Sequence, residues 1–249
     1  MTARGLEPSD DLPAAAWIGA GLGGPFGAVT RTVPRGYPAY ARICHPPADA
    51  GGALTTWSHV ARTTGREAHP LMQWRALAGC AQGSSASGSL WPGAPPRIGH
   101  LVPEALGPLC ALLADFTMTP DDCYFGVWDG WGWIGSDDES PLSLPPGALR
   151  PAVVTLPGRD YLLLAGPLDA ALQLGYRPRP EWFLPQSPSI FWPSDRAWFT
   201  ATEVDFDSTL VGGSSELVAA LLAAPALDAW PVDGRDSLAI DADTRNPAV

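Results

Sequence analysis

Glycine and proline break this chain so often that no long regular element can run through it. The 27 glycines and 28 prolines fill more than a fifth of the 249 positions, roughly twice their share in an average domain. Coiled coils, helical solenoids and long bundles are therefore excluded, and short elements joined by ordered loops are expected. A hydrophobic fraction of 46% with only 16% charged residues supplies enough apolar surface for a sizeable core, which separates the chain from disordered sequences.

Between the breaks, local patterns assign the elements. Residues 1–36 read as a Gly/Pro-rich N-terminal arm. Ala39 to Cys44 (AYARIC) is the first strand, stopped by His45-Pro46-Pro47. Thr56 caps a helix over Trp57 to Thr64, and Pro70 opens another bearing Leu71, Trp74 and Leu77. Residues 82–96 are small, polar and bounded by proline, hence a flexible loop. From Pro103 to Phe116, Leu106, Leu109, Cys110 and Leu113 share one helical face. Cys123 to Asp129 is β-rich, and Asp129-Gly130 fits a two-residue hairpin turn with Trp131 to Ile134 as the returning strand. Tyr161 to Ala165 is a buried strand leading into a short helix over Leu168 to Leu174, and Trp198 to Asp207 is another strand. Ser214 caps a helix through Ala223, Ser237 to Ile240 adds a last strand, and residues 241–249 form a tail. With hairpin signals and no βαβ alternation, the pattern predicts an α+β fold, a mainly antiparallel sheet with short helices packed on it, as one domain over residues 37–240.

Charge narrows the partners. All basic residues are arginine, and 15 of them against 26 acidic residues leave a net charge of -11. That sign opposes nucleic-acid binding and favours a protein partner with a basic surface. Glu7, Asp10 and Asp11 stand where a secretory signal needs positive charge, and the uncharged stretch Leu12 to Thr30 carries too many glycines and prolines for a membrane helix. A cytoplasmic protein is expected. The cysteines Cys44, Cys80, Cys110 and Cys123 lack the spacing of a disulfide framework or zinc site and read as reduced, buried thiols. Oligomeric state is left open.

Several motifs suggest chemistry and fail on context. Gly19, Gly21 and Gly24 satisfy the dinucleotide glycine pattern, but Pro25 and the β-branched residues after it oppose the helix that would hold a pyrophosphate. Ser84, Ser85 and Ser87 miss the nucleophile-elbow pattern by the residue at position 87. Asp205-Phe206-Asp207-Ser208-Thr209 resembles the first motif of haloacid-dehalogenase-type phosphatases, yet it lies near the C-terminus of a chain without lysine. On a strand, Glu203, Asp205 and Asp207 would share one face, either solvated or holding a cation or an arginine. No motif calls for a cofactor.

Tryptophan is the unusual residue, with 11 copies. Trp128, Trp131 and Trp133 flank the expected turn, where they serve either as core or as a recognition surface joined by Arg196 of the Trp192–Arg196 segment. The strings CYFGVWDGWGWI (123–134), RDYLLLAGPLDAA (159–171) and the long run from Phe191 to Leu222 resemble a bacterial family of unknown function carried mostly by GC-rich genomes, over residues 38 to 232. That resemblance implies no substrate, cofactor or catalytic residue. The helix-then-aromatic-strand order around Leu101 to Ile134 is similar to the SUKH immunity-protein superfamily and implies an immunity-like role. The combined reading is a non-catalytic, cytoplasmic, protein-binding protein; the alternative is a metal-dependent hydrolase or phosphatase using Glu203, Asp205 and Asp207.

Overall fold

Period-two burial along the strands decides which core each side chain joins. In the computed structural model, which describes residues 5–80, 89–134, 151–179 and 181–246, this is clearest on the neighbouring strands β3 (Cys123–Trp128) and β5 (Arg159–Gly166), with the numbering here following chain order. Cys123, Phe125 and Val127 of β3, with Leu162 and Leu164 of β5, enter one core; Tyr124, Trp128, Tyr161 and Leu163 enter another on the opposite face. A strand covered on both sides has no solvated face, which is why Tyr161 to Ala165 reads as an unbroken apolar run.

The remaining strands are β1 (Glu7–Pro8), β2 (Ala39–Cys44), β4 (Val153–Leu156), β6 (Gly175–Arg179), β7 (Trp182–Pro185), β8 (Ile190–Pro193), β9 (Phe199–Ala201), β10 (Ser208–Gly213) and β11 (Ala229–Val232). Among the described residues the main sheet runs β1-β5-β3-β8-β9-β10-β2-β11, with β4 also on β5, while β6 and β7 form a separate hairpin. Every pairing is antiparallel. The fold is thus α+β, a mainly antiparallel sheet with a few short helices in one compact unit. Among the described residues no helix is long and apolar enough to cross a membrane.

Helices cover both faces. On the first lie α5 (Pro103–Ala114), a 3-10 helix (Leu168–Gln173) and α6 (Ser215–Ala223), burying Leu106, Leu109, Leu113, Leu168, Leu217 and Leu221. The Trp198 indole N–H donates to the Leu113 carbonyl at 3.1 Å and ties α5 to the sheet. On the second lie α1 (Leu12–Gly21) and α2 (Val29–Thr32). Beyond β2, α3 (Trp57–Thr64) and α4 (Trp74–Leu77) enclose a smaller cluster around Trp57, Met72 and Trp91. Thr56 and Ser214 cap α3 and α6 as their sequences predict.

Five expectations need correction. The segment 1–36, expected as an arm, belongs to the second helical layer where it is described: Ile18, Val29 and Val33 are fully buried. Pro13 sits at the start of α1, where a missing N–H costs nothing, and the Asp11 carboxylate accepts from Ala14 N. Trp131 to Ile134 does not return as a strand, because β5 and β8 already occupy both edges of β3. The expected strand Trp198 to Asp207 shrinks to β9, and residues 202–207 form the loop that turns β9 into β10. The tail from 241 is docked rather than frayed as far as it is described: Asp243 bonds His69 Nε2 at 2.8 Å and accepts from the backbone N–H groups of Gln73, Arg245 and Asn246. Ser237 to Ile240 contributes a single bridge, Ser237 to Ala28, in place of a strand. The serine run at 84–87 and much of the expected loop 82–96 lie outside the described residues.

Candidate functional site

The expected site residues separate into three places. Glu203 and Asp205 lie in the β9–β10 loop, and both accept from the Arg159 guanidinium at 2.7 Å. Arg159 also stacks over the Trp128 ring, 5.3 Å from its centroid, and Trp128 meets Trp131 edge-on at 5.4 Å. Asp207 faces another way and pairs with the buried Arg42 at 3.4 Å; burial pushes its carboxyl up against the pull of that guanidinium. The three carboxylates therefore share no strand face, and two arginines already neutralise them. Among the described residues no His, Cys, Asp and Glu group is arranged to hold a metal ion. Arg196 stands apart from the tryptophan turn, with its guanidinium 5.3 Å over the Trp17 ring.

Three of the thiols are sequestered, while Cys80, expected to be buried, is only partly so. Cys44, Cys110 and Cys123 are free and buried, and burial pushes the Cys110 and Cys123 thiols up to about 12, far from the range in which a thiolate reacts at neutral pH.

What the structure does bring together is a cleft of about 780 Å³ between the start of α5, the tryptophan turn and the β6–β7 hairpin. Its volume falls in the range of pockets that hold a small ligand or a few peptide residues. Trp131 and Trp133 line it, each half-buried against the α5 side of the core, and Trp133 stacks on Tyr176 with centroids 6.1 Å apart. Leu54, Ile98 and Leu184 add exposed apolar surface. Trp131 and Trp133 are thus core on one side and lining on the other, while Trp128 packs into the opposite core.

The polar wall of the cleft is the irregular segment Arg97 to Leu101, and hydrogen bonds fix it along its length. His45, fully buried, donates from Nδ1 to the Arg97 carbonyl at 2.6 Å and accepts at Nε2 from Thr209 Oγ1, which in turn takes the Thr202 hydroxyl at 2.7 Å. The Phe206 carbonyl accepts from Gly99 N at 2.8 Å, and Gln186 Nε2 donates to the Gly99 carbonyl. Only glycine serves at 99: φ is +67°, and a Cβ would lie 2.5 Å from the Val204 carbonyl oxygen. Ser187 completes the frame, its N–H donating to His100 Nδ1 at 3.0 Å and its hydroxyl accepting from Leu101 N.

This frame sets the chemistry of His100. Burial and the neighbouring Arg97 lower its pKa to about 4, against the opposing pull of Glu104. The ring is neutral at pH 7, and because Nδ1 accepts from Ser187, the ring proton sits on Nε2. His100 therefore offers the cleft a hydrogen-bond donor and no base. No serine, threonine, cysteine or lysine is among the lining residues, and the arrangement suits binding.

A second cleft of about 890 Å³ near Tyr37 and Tyr40 is larger, but its polar groups are engaged within the fold. Arg35 donates to the Gly21 and Leu22 carbonyls, Tyr37 to the Arg196 carbonyl and Tyr40 to the Pro34 carbonyl. The cleft beside α5 is therefore the better candidate. Comparison with family models, with curated proteins and with solved structures finds no match to this chain.

Sequence reasoning found Trp131 and Trp133 but missed Arg97, His100 and Tyr176. These carry no motif, and only tertiary contact assembles them. Arg159 had a readable context, since Pro157-Gly158, with φ +90° at the glycine, is the turn chemistry that places it at the start of β5.

Proposed function

We propose that this is a non-catalytic binding protein that receives a segment of a partner protein in the cleft lined by Trp131, Trp133 and Tyr176. The observation that carries this reading is the cleft itself: a fixed polar wall faces an aromatic platform with exposed apolar residues around it, and no reactive group is activated there. Large amphipathic rings held by their own packing lose little freedom on binding, which is why such surfaces concentrate binding energy. The net charge of -11 favours a basic partner by steering and by repulsion of acidic ones. The resemblance to immunity proteins points to the same class of ligand, and a cytoplasmic setting suits the free thiols.

The test is affinity capture from the source cell with wild type and with a Trp133→Ala/Leu184→Asp double variant of matched melting temperature. The expected result is a defined basic protein, recovered by wild type in a salt-sensitive manner and lost with the variant. Equal recovery by both, or none by wild type, overturns the reading.

A further inference from the structure

Two features of the cleft are not explained by apolar docking alone. The first is Arg97. Arg42, Arg159, Arg235 and Arg245 have carboxylate partners, and Arg35, Arg177 and Arg196 rest on carbonyls or aromatic rings; Arg97 is one of the exposed arginines with neither kind of partner among the described residues. Arg97 lines the cleft and makes no ion pair among the described residues, while its backbone is fixed by His45. The second is His100, only 8% exposed, whose Nδ1 is committed to Ser187. Its remaining Nε2–H donor belongs to a ring that lines the same cleft.

A guanidinium and an imidazole N–H on one wall of the cleft form an anion-binding arrangement. The anion must be small and singly charged, because a polyanion meets the repulsion of the whole molecule. Glu104, also on the cleft, has no ion-pair partner among the described residues and calls for a cation close to that anion. Trp131, Trp133 and Tyr176 call for an apolar group beside it.

Resting on the binding-cleft reading, we propose that the cleft captures the free C-terminus of a basic polypeptide. The terminal carboxylate sits on the Arg97 guanidinium and the His100 Nε2–H, and the last side chain, apolar, lies on Trp131, Trp133 and Tyr176. A lysine or arginine upstream reaches Glu104. This is the terminal-carboxylate mode of peptide recognition, in which the charged end fixes register and the adjoining pocket selects the side chain.

The probe is a pool of dye-labelled heptapeptides rich in arginine, lysine and alanine with leucine or phenylalanine as the last residue, prepared as free acids and as C-terminal amides. Binding is read by fluorescence anisotropy on the full chain. The free-acid pool is expected to bind about tenfold or more tightly than the amide pool. Arg97→Gln, at an exposed side chain, is expected to remove most of the acid preference and leave the melting temperature unchanged. Equal binding of acids and amides, lost together in Trp133→Ala, overturns the carboxylate inference and leaves the cleft reading standing. An acid preference that survives Arg97→Gln undiminished overturns the placement of the carboxylate. No binding of either pool to wild type overturns the cleft reading and this inference with it.

Discussion

His45 is a neutral buried ring with both nitrogens committed, and its protonation state links acidity to folding. Burial lowers its pKa from the ordinary 6.5 to about 3. Below pH 6.5 the unfolded chain takes up a proton that the folded ring refuses, so the stabilisation present above pH 6.5 is lost progressively as pH falls toward 3. His100, lowered to about 4, acts with the same sign over a shorter window. Each histidine is expected to contribute a slope of about 1 kcal/mol per pH unit. Urea denaturation between pH 7 and pH 5 checks this: the stability of wild type falls with pH, and that of His45→Gln falls less steeply. Asp207 and Asp228, whose carboxyls burial pushes up, act with opposite sign, and the difference between wild type and variant removes their contribution. Gly99→Ala places a Cβ against the Val204 carbonyl in a left-handed backbone conformation, and a loss of about 2–3 kcal/mol is expected. Chemical denaturation measures it, and a loss below about 0.5 kcal/mol would show that the close approach relaxes freely.

At the scale of elements, the helix caps were legible because the capping bond joins residues three apart. Ser214 Oγ accepts from Leu217 N at 3.1 Å and Thr56 Oγ1 from His59 N at 3.2 Å. Ser214→Ala is expected to cost about 1 kcal/mol, since α6 then ends with an unanswered N–H beside the core. Equilibrium unfolding of Ser214→Ala beside Ser214→Gly separates the cap from backbone effects, the glycine variant losing less. Strand ends were not legible. Nothing in CYFGVWDGWGWI states that both edges of β3 are taken by segments more than twenty residues distant, yet that occupancy prevents the tryptophan turn from becoming a hairpin. The acidic run at 203–207 was misread for a related reason: its alternation fits a strand, but β10 pairs back onto β9 at Leu210 and Ala201, which leaves the run to make the turn.

Across the whole molecule, residues far apart in sequence are tied together by buried polar contacts. Asp243 near the C-terminus takes His69, Gln73 N and Asn246, and Asn246 in turn accepts from Glu67 N and donates to its carbonyl. Asp243→Ala leaves the buried His69 ring and the backbone N–H groups of Gln73, Arg245 and Asn246 without their carboxylate partner, and a loss of roughly 2–4 kcal/mol is expected. Limited proteolysis gives an independent reading, with cleavage after residue 240 faster in the variant than in wild type. Composition and local pattern by themselves determined the α+β class, the antiparallel sheet, the caps of α3 and α6, the buried face of α5 and the aromatic residues at the tryptophan turn. Each of those follows from the chemistry of neighbouring residues or from a period of 2 or 3.6. Only the tertiary structure decided that the glycine-rich start forms a second helical layer, that Arg159 and Arg42 divide the acidic run between them, and that Arg97, His100 and Tyr176 meet Trp131 and Trp133 around one cleft. The physical reason is that pairing, burial and charge neutralisation between distant segments depend on which surfaces meet, and a local pattern carries no record of its partner.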